Sequence, residues 1–337
     1  MDSPINKNLL DASKKEFPSR FYNDFFVSEF GRLEGLISER YGRSYSVLLV
    51  YLEGFAELSG QVERPQTIAF LKNLIRVVID VVRTCDVVGM IHGKGLVIIL
   101  PDTDYIGSLI TVRKLRKAVE ALKAQETMPL SISFSHASFP RDANGYGELV
   151  TVAEKRLEDY RGGLYGRVDL GAKLFWENVS TLLNEEFNDH AIKRFDIGTE
   201  LELSESFREL VAALVMDEVG RTPQKSGILY VSPGRFLSDK TLQRSMDGIG
   251  ETNTKIFIIG EKGEDSVKLS HAIQIDLTDN RFLDTFFILL LRDDIAYAFI
   301  AREGWGGRVS CVHATEPYLI TCLIEKLQRD YSLQEQL

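Results

Sequence analysis

Two short apolar runs separated by a four-residue loop constrain the first half of this chain more than any other feature. Residues 87–101 read VVGMI, then HGKG, then LVIILP. Runs rich in β-branched residues on either side of a short glycine-containing loop are typical of a tight β-hairpin, because glycine supplies the positive φ that the turn needs. The pattern therefore predicts a hairpin with His92 and Lys94 at its tip.

The segments around this hairpin alternate between strand and helix patterns. Apolar residues recur at helical spacing in residues 21–41, where Phe26, Phe30, Leu33 and Ile37 share one face. The resulting order is β-α-β-β-α-β-α, with strands predicted at 44–55, 87–91, 96–100 and 129–140 and later helices at 65–84, 102–122 and 147–160. This order predicts an α/β (α+β) fold of ferredoxin-like or palm type, with helices on one face of a mixed, mostly antiparallel sheet.

The second half predicts a separate, compact α/β domain. Residues 171–200 break the periodicity and carry mixed charge, so they are interpreted as a linker between domains at 21–170 and 201–332, with an N-terminal segment at 1–20. A capping-box pattern at Ser206–Glu209 predicts the start of a helix that stops at Gly220. Strand-like runs follow at 227–232, 255–260, 272–277, 286–291 and 295–301, with a helix between the first two and a last helix at 316–328.

Composition narrows the classes of function. The 337 residues suffice for two domains of ordinary size. No apolar run approaches the roughly 18–20 residues that a membrane span needs, and the N-terminus lacks the order of a signal peptide, so a cytoplasmic protein is expected. A net charge of −9 argues against nucleic acid and anionic membranes as partners, because both need a basic footprint.

The cysteines do not suggest a metal site or a disulfide framework. Cys85, Cys311 and Cys322 are odd in number and scattered. Cys311 and His313 supply two ligands where a closed zinc site needs four, so this pair is interpreted as strand packing. No metal and no cofactor is expected. Trp305, in a Gly-rich stretch, would cover a ligand or partner if exposed and would fill the core if buried.

In order and spacing, the first-half elements resemble the GGDEF family, whose intact members are diguanylate cyclases that condense two GTP into cyclic di-GMP. The resemblance covers roughly residues 20–170. It depends on four stretches, RYGRSYSVLLVYLEGF, RTCDVVGMIHGKGLVIILPDTD, LSISFSHASFP and AEKRLEDYRGGLYGRV. It implies the same fold and raises the question of whether the chemistry has survived.

The resemblance implies a degenerate active site. The family supplies carboxylates for magnesium from the end of its first strand and from the third and fourth positions of its signature, because Mg²⁺ prefers hard oxygen ligands. Those positions hold Tyr51, Lys94 and Gly95 here, and an ammonium repels a dication. The chain is therefore not expected to be an enzyme. The whole signature loop reads His92, Gly93, Lys94, Gly95 and Leu96.

One feature of the family pattern is retained. Arg83 and Asp86 form an RxxD pattern about five residues before the hairpin tip. The family has a product-inhibition site for cyclic di-GMP at this place. An arginine can pair with guanine O6 and N7, and a carboxylate accepts from the N–H edge. The family's further arginine falls at Lys114, which keeps the charge but loses the planar fork. A structural role, with Arg83 ending a helix and Asp86 pairing with backbone, fits equally well.

Residues 201–332 resemble the DICT domain, a sensory module, through ESFRELVAALV, KIFIIGE, DTFFILLLRDDIAYAFIARE and ATEPYLITCLIEKL. Together the two resemblances predict a non-catalytic signalling protein. Its degenerate GGDEF domain would act as a cyclic di-GMP receptor or a protein-docking module, coupled to the sensory domain. The alternatives are a dimerisation scaffold without a nucleotide ligand, and a residual cyclase. A homodimer and a protein partner in a signalling pathway are expected.

Overall fold

The computed structural model describes most of the chain, and its described residues fall into two compact units, one up to Gly163 and the other from Leu164 onwards. The described residues are 18–52, 65–91, 95–125, 132–162, 173–184, 191–197, 201–235, 243, 244, 246, 249–260, 271–304 and 308–333.

The first unit contains a five-stranded mixed sheet in the order β1-β3-β4-β2-β5. The predicted hairpin is confirmed, since β3 and β4 pair antiparallel with Ile91 opposite Gly95. Among the described strands of this sheet, only the short β1, which the sequence analysis did not predict, pairs in parallel. The strands are β1 Phe21–Tyr22, β2 Tyr45–Leu52, β3 Val87–Ile91, β4 Gly95–Pro101 and β5 Ile132–Phe139, and the helices are α1 Asp24–Tyr41, α2 Pro65–Val81, α3 Tyr105–Gln125 and α4 Tyr146–Gly162. The predicted mixed, mostly antiparallel α/β class is confirmed.

Helices cover both faces of this sheet, so the prediction of helices on one face only is wrong. Along β2, Leu48 and Val50 pack into a core shared with α2 and α3. Val47 and Leu49 alternate with them and pack into a second core shared with α1 and α4. A strand buried on both faces is apolar at almost every position, as β2 is. Helical periodicity shows which side of a helix is apolar, but not which side of the sheet that helix covers.

Helix α1 packs on the sheet with small residues rather than with its large apolar ones. Its buried residues are Val27, Gly31, Gly35 and Ser38. A β-carbon on Gly31 would lie 2.2 Å from the ring of Tyr146, so this side of the helix approaches α4 closely. The contact is possible because glycine has no side chain.

The apolar face that the sequence assigns to α1 is therefore not the face that is buried. Phe26, Leu33 and Ile37 are 42%, 48% and 44% exposed, and Phe30 is only partly buried. Leu36 and Tyr41 extend the same exposed apolar surface. We call these residues (Phe26, Phe30, Leu33, Leu36, Ile37 and Tyr41) the α1 apolar face. A helix in a monomer usually buries such a face.

The second unit contains a seven-stranded sheet in the order β6-β12-β11-β10-β7-β8-β9. Strands β7, β8 and β9 are parallel and the other pairs are antiparallel. The predicted β10–β11 hairpin is confirmed, with Leu291 opposite Ala296. The strands are β6 Ile192–Ile197, β7 Gly227–Ser232, β8 Thr254–Gly260, β9 Ala272–Asp276, β10 Thr285–Arg292, β11 Ala296–Glu303 and β12 Val309–Ala314, and the helices are α5 Phe175–Asn184, α6 Leu201–Arg221, α7 Asn280–Leu283 and α8 Pro317–Asp330.

The range predicted as a linker, 171–200, contains regular structure. Helix α5 lies within it, with Phe175 and Trp176 buried, and β6 is an edge strand paired with β12. An edge strand with few buried residues, such as β6, resembles a linker in sequence. The helix predicted to start at the capping box begins earlier, at Leu201. The helix predicted between the first two strands of this half falls largely outside the described residues.

The Cys311 and His313 pair lies in β12, and Cys311 belongs to the apolar core of the second unit. Burial raises the pKa of its thiol to about 12. A protonated, buried thiol packs as a small apolar group, as the strand-packing interpretation predicts. Among the helices in the described parts of the chain, none has the length and apolar character needed to cross a bilayer.

Candidate functional site

Tyr51 and Gly95, two of the positions that the GGDEF resemblance singles out, are neighbours in the sheet. Tyr51 lies near the end of β2, between Gly95 of β4 and Ser133 of β5. The structure thus brings together the two positions that the family resemblance pairs across strands. The remaining signature positions, His92, Gly93 and Lys94, lie outside the described residues.

The backbone of Gly95 lies directly against β2. A β-carbon on Gly95 would stand 2.2 Å from the carbonyl oxygen of Val50 and 3.1 Å from the Cα of Tyr51. Real β-carbons do not approach a backbone oxygen this closely, so any side chain here would push β4 away from β2. The position that carries an acid in the family pattern has no space for one in this chain.

A small cavity of about 130 Å³ opens beside Tyr51. Its apolar lining includes Leu49, Ile91 and Leu157, and two carboxylates, Glu154 and Glu158, complete it. The sequence analysis missed these glutamates. Their four-residue spacing on a predicted helix was the available signal, since it places both on one side of α4.

Glu154 and Glu158 do not by themselves form a metal site in the described part of the chain. Within those residues, no group of three or more His, Cys, Asp and Glu side chains converges closely enough to hold a metal ion. Tyr51 contributes a phenol where a hard cation needs a carboxylate. Glu53, the acidic residue that follows β2 directly, lies outside the described residues.

The RxxD stretch forms a turn between α2 and β3 in which Asp86 faces inward. Asp86 is only 4% exposed. Its Oδ2 accepts a hydrogen bond of 2.6 Å from the backbone N–H of Arg83, and its own N–H donates to the Arg83 carbonyl at 3.2 Å. Burial raises the pKa of the carboxyl above its ordinary value, although the hydrogen bond from Arg83 opposes this effect. The carboxylate therefore closes the turn, as the structural interpretation expects.

Arg83, in contrast, presents its side chain to solvent. Its carbonyl accepts a hydrogen bond from the guanidinium of Arg20, which fixes the backbone of the turn. No hydrogen bond or ion pair to the Arg83 guanidinium occurs among the described residues. Lys114 is also exposed, on α3, and no hydrogen bond or ion pair within the described parts joins it to Arg83 or Asp86. The structure thus links Arg83 to Asp86 through backbone and leaves both cations available to a ligand.

Comparisons with known proteins give matches among solved structures. No protein-family model matches the sequence, and no curated protein matches it. The GGDEF domain of YfiN (also called TpbB) from Pseudomonas aeruginosa is similar over 42% of this chain and 89% of its own, with 17% identity and a TM-score of 0.37. The GGDEF domain of DgcB from Caulobacter crescentus, in complex with c-di-GMP, is similar over 44% and 92%, with 13% identity and a TM-score of 0.37.

The diguanylate cyclase SiaD from Pseudomonas aeruginosa, in complex with its activator SiaC, is also similar to this chain. The match covers 46% of this chain and 62% of SiaD, with 19% identity and a TM-score of 0.36.

Proposed function

We propose that this chain is a non-catalytic signalling protein of cyclic di-GMP pathways, in which the first unit works by binding and the second is a DICT-like sensory domain. The observation that carries the proposal is the contact of β4 with β2 at Gly95, where a β-carbon would lie 2.2 Å from the Val50 oxygen. An acid cannot occupy that position, and the neighbouring position holds Tyr51.

The cyclase reaction needs metal ions, so the lack of metal-binding acids at positions 51 and 95 argues against catalysis. Phosphoryl transfer between nucleotides depends on divalent metals that bridge the phosphates and stabilise charge on the attacking and leaving oxygens. Glu154 and Glu158 lie on one helix and line only one side of the cavity beside Tyr51. Two carboxylates from one side do not replace ligands that converge from a strand and a hairpin. This arrangement of carboxylates supports a domain that binds a nucleotide without converting it.

The ligand we assign to the first unit is cyclic di-GMP, and the contact is made by Arg83. The assignment comes from the RxxD pattern and is supported by the exposed Arg83 side chain, which has no protein partner in the described parts of the chain. A free guanidinium can pair with guanine O6 and N7. The inward position of Asp86 changes its role, because a carboxylate that already accepts the Arg83 N–H shapes the turn that presents the arginine. Lys114 adds a second positive charge.

A second candidate function is a dimerisation and docking scaffold without a nucleotide ligand. The α1 apolar face favours it, since Leu33 and Ile37 remain 48% and 44% exposed although they sit on a helix with a well-packed opposite side. A second copy presenting the same face would bury both surfaces, as symmetric dimers do. A homodimer is compatible with the receptor function as well.

One experiment separates these functions. The purified chain is mixed with cyclic di-GMP, and separately with GTP and magnesium, and its melting temperature, heat of binding and nucleotide products are measured. A receptor gains stability with cyclic di-GMP, by about 2.7 kcal/mol at a hundred times the dissociation constant. A scaffold shows neither heat nor a thermal shift. Product formed from GTP would overturn the non-catalytic proposal.

A further inference from the structure

The second unit contains an open cavity of about 720 Å³ between α5, α7 and the ends of β10 and β11. We call it the α5–β11 cavity. Its lining is unusually rich in charge and hydroxyl groups for a surface that adjoins an aromatic core. The lining residues are Lys173, Trp176, Glu177, Ser180, Thr181, Arg281, Asp284, Thr285, Arg302 and Glu303.

Arg302 is the central cation of this cavity, and strand register explains its position. It pairs with Thr285 across the β10–β11 hairpin, and the next pair on the same face is Phe287 with Ile300. Phe287 packs edge-on against Phe175 of α5. Because side chains alternate along a strand, Arg302 projects onto the sheet face that α5 covers, and its charge lies at the border of an aromatic layer.

The guanidinium of Arg302 is held by neutral groups. Its Nε donates to Thr285 Oγ1 at 3.0 Å and its Nη1 donates to Ser180 Oγ at 3.1 Å. Within the described residues, no carboxylate forms an ion pair with it and its Nη2 has no hydrogen-bond partner. Burial lowers the pKa of Arg302, the nearby charge of Arg281 adds to this effect, and the charge of Asp284 opposes it. A half-buried cation that forms no ion pair is costly, and a bound anion would relieve that cost.

A second cation reaches the same row of hydroxyl groups. Lys173 donates from Nζ to Thr181 Oγ1 at 3.2 Å, and Thr181 follows Ser180 in α5. The hydroxyls of two consecutive residues thus connect to the two cations. The Thr181 hydroxyl itself donates to the Glu177 carbonyl oxygen at 3.0 Å. The hydroxyls of Ser180 and Thr285 accept from Arg302 and can turn their protons toward an incoming oxyanion, which makes them suitable additional donors.

Most carboxylates around the cavity already have partners. Asp284 forms an ion pair with Arg235, and Glu177 accepts the backbone N–H of Leu174 at 2.7 Å. The third guanidinium, that of Arg281, is neutralised by Asp279 through contacts as short as 2.7 Å. Glu177 and Glu303 are the lining carboxylates without an ion pair among the described residues, so they equal Lys173 and Arg302 in number. Neither of them forms an ion pair with Arg302 or Lys173 in the described parts of the chain, so the two cations are not neutralised by direct contact.

We propose that the α5–β11 cavity binds a small molecule through an oxyanion group, a phosphate or a carboxylate, with Arg302 and Lys173 as its cationic contacts. Ser180 and Thr285 supply the hydroxyl donors beside them. The volume of about 720 Å³ lies within the range of roughly 300–1,000 Å³ that small-molecule sites occupy. The ligand therefore extends beyond the oxyanion itself. The inference gives a ligand class to the sensory role proposed above, and it rests on that role only for its biological purpose.

Trp176 provides a direct readout of binding. The guanidinium carbons of Arg302 and Arg281 lie 5.6 Å and 5.5 Å from the centre of its ring. The chain contains two tryptophans, so Trp305→Phe leaves Trp176 as the reporter. The test titrates this variant of the full chain with inorganic phosphate and, separately, with succinate, and follows tryptophan fluorescence and heat of binding. Cyclic di-GMP is absent, so failure of the nucleotide proposal does not affect the result.

We expect saturable binding of at least one probe. Saturation by phosphate alone assigns a phosphorylated ligand, and saturation by succinate alone assigns a carboxylate. In the same background, Arg302→Gln should weaken binding by about tenfold or more, the effect of losing hydrogen bonds to a charged group, and Lys173→Gln should weaken it less. Arg221→Gln is the matched control, because Arg221 is exposed and paired with Asp217 elsewhere in the unit; its affinity should equal that of the parent.

Two results would overturn the proposal. One is the absence of saturable binding with both probes. The other is an unchanged affinity in Arg302→Gln and Lys173→Gln. If Arg302→Gln fails to fold, which circular dichroism would reveal, Lys173→Gln decides alone, since Lys173 lies outside the helices and strands and its loss leaves the aromatic layer intact.

Discussion

A β-carbon placed on Gly95 would stand 2.2 Å from the carbonyl oxygen of Val50, so the hairpin strand β4 lies against β2 at a distance that only glycine allows. Gly95 is also the register partner of Tyr51. The two positions at which the GGDEF pattern has metal-binding acids are thus in contact through backbone. This packing leaves no space for a side chain at position 95.

The first prediction concerns catalysis. The purified chain incubated with GTP and either magnesium or manganese should form no cyclic di-GMP, because neither Tyr51 nor Gly95 can bind a metal as a carboxylate does. Chromatographic analysis of the nucleotides checks this, with an active diguanylate cyclase as the positive control. Product above the level without protein, lost when the hairpin is altered, would show that the site is rebuilt from other residues.

The second prediction concerns packing at Gly95. Gly95→Ala should lower the free energy of unfolding by about 1–3 kcal/mol, the usual cost of forcing an extra carbon into a filled space. Urea denaturation measures the change. Gly147→Ala in α4 is the control, because a β-carbon there meets nothing within 4 Å and should leave stability unchanged or slightly raised. Equal stability of both variants would mean that β4 is not held as closely as the structure shows.

The third prediction concerns the RxxD turn. Arg83→Ala should weaken cyclic di-GMP binding in calorimetry by about 1.5–3 kcal/mol, the contribution of a hydrogen bond to a charged group. Lys114→Ala should cost less, since an ammonium lacks the planar fork. The melting temperature without ligand should hardly change, because the Arg83 side chain has no hydrogen-bond or ion-pair partner in the described parts of the chain.

Arg76→Ala is the matched control for this turn, since Arg76 is exposed on α2, the helix that precedes the turn. It should bind cyclic di-GMP as the wild type does. If Arg83→Ala destabilises the free protein, or if the wild type binds no nucleotide, the turn is structural and the scaffold function remains.

The fourth prediction concerns assembly. The chain should be a homodimer at micromolar concentration by light scattering, because the α1 apolar face is otherwise exposed to water. The double substitution Leu33→Asp and Ile37→Asp should give a folded monomer, since two charges in an apolar interface are costly to desolvate. Glu39→Gln, on the same helix and exposed, should leave the dimer intact. A monomeric wild type would contradict the prediction.

The fifth prediction concerns pH and His136. Burial, with a further contribution from Arg156, lowers the pKa of this imidazole from 6.5 to about 3, and Ser108 Oγ lies 2.8 Å from its Nδ1. The folded protein keeps the ring neutral while the unfolded chain binds a proton below pH 6.5. Stability from this group is therefore complete above pH 6.5 and is lost as pH falls toward 3, by up to about 1.4 kcal/mol per pH unit.

Urea denaturation between pH 7.5 and 5.5 checks the prediction for His136, because the lower end of this range is still about one unit above the pKa of ordinary carboxyl groups. His136→Gln should reduce the pH dependence, and His313, whose pKa burial also lowers, should account for part of what remains. His271→Gln, at an exposed position, should retain it. A wild-type stability that does not fall over this range would show that His136 is not kept neutral by burial.

Local sequence pattern was sufficient for much of the fold. The hairpin of β3 and β4, the hairpin of β10 and β11, and helix α8 were predicted because each depends on contacts or periodicity within a short stretch of chain. Tyr51 and Gly95 were singled out by the resemblance to the GGDEF family, and that they are neighbours in the sheet is seen in the pairing of β2 with β4. For the hairpins and α8 the information lies in residues close in sequence, or in a topology that allows few alternatives.

Only the tertiary structure decided which surfaces are buried. The apolar stripe of α1 was visible in the sequence, but the helix buries Gly31 instead because the ring of Tyr146, far along the chain, occupies the space beside it. The inward turn of Asp86 is decided in the same way by its surroundings. The α5–β11 cavity could not be predicted at all, since Ser180 and Arg302 meet only when α5 packs on the β10–β11 hairpin. A sequence records the local preferences of its segments, whereas burial and charge pairing depend on what other segments bring to the same place.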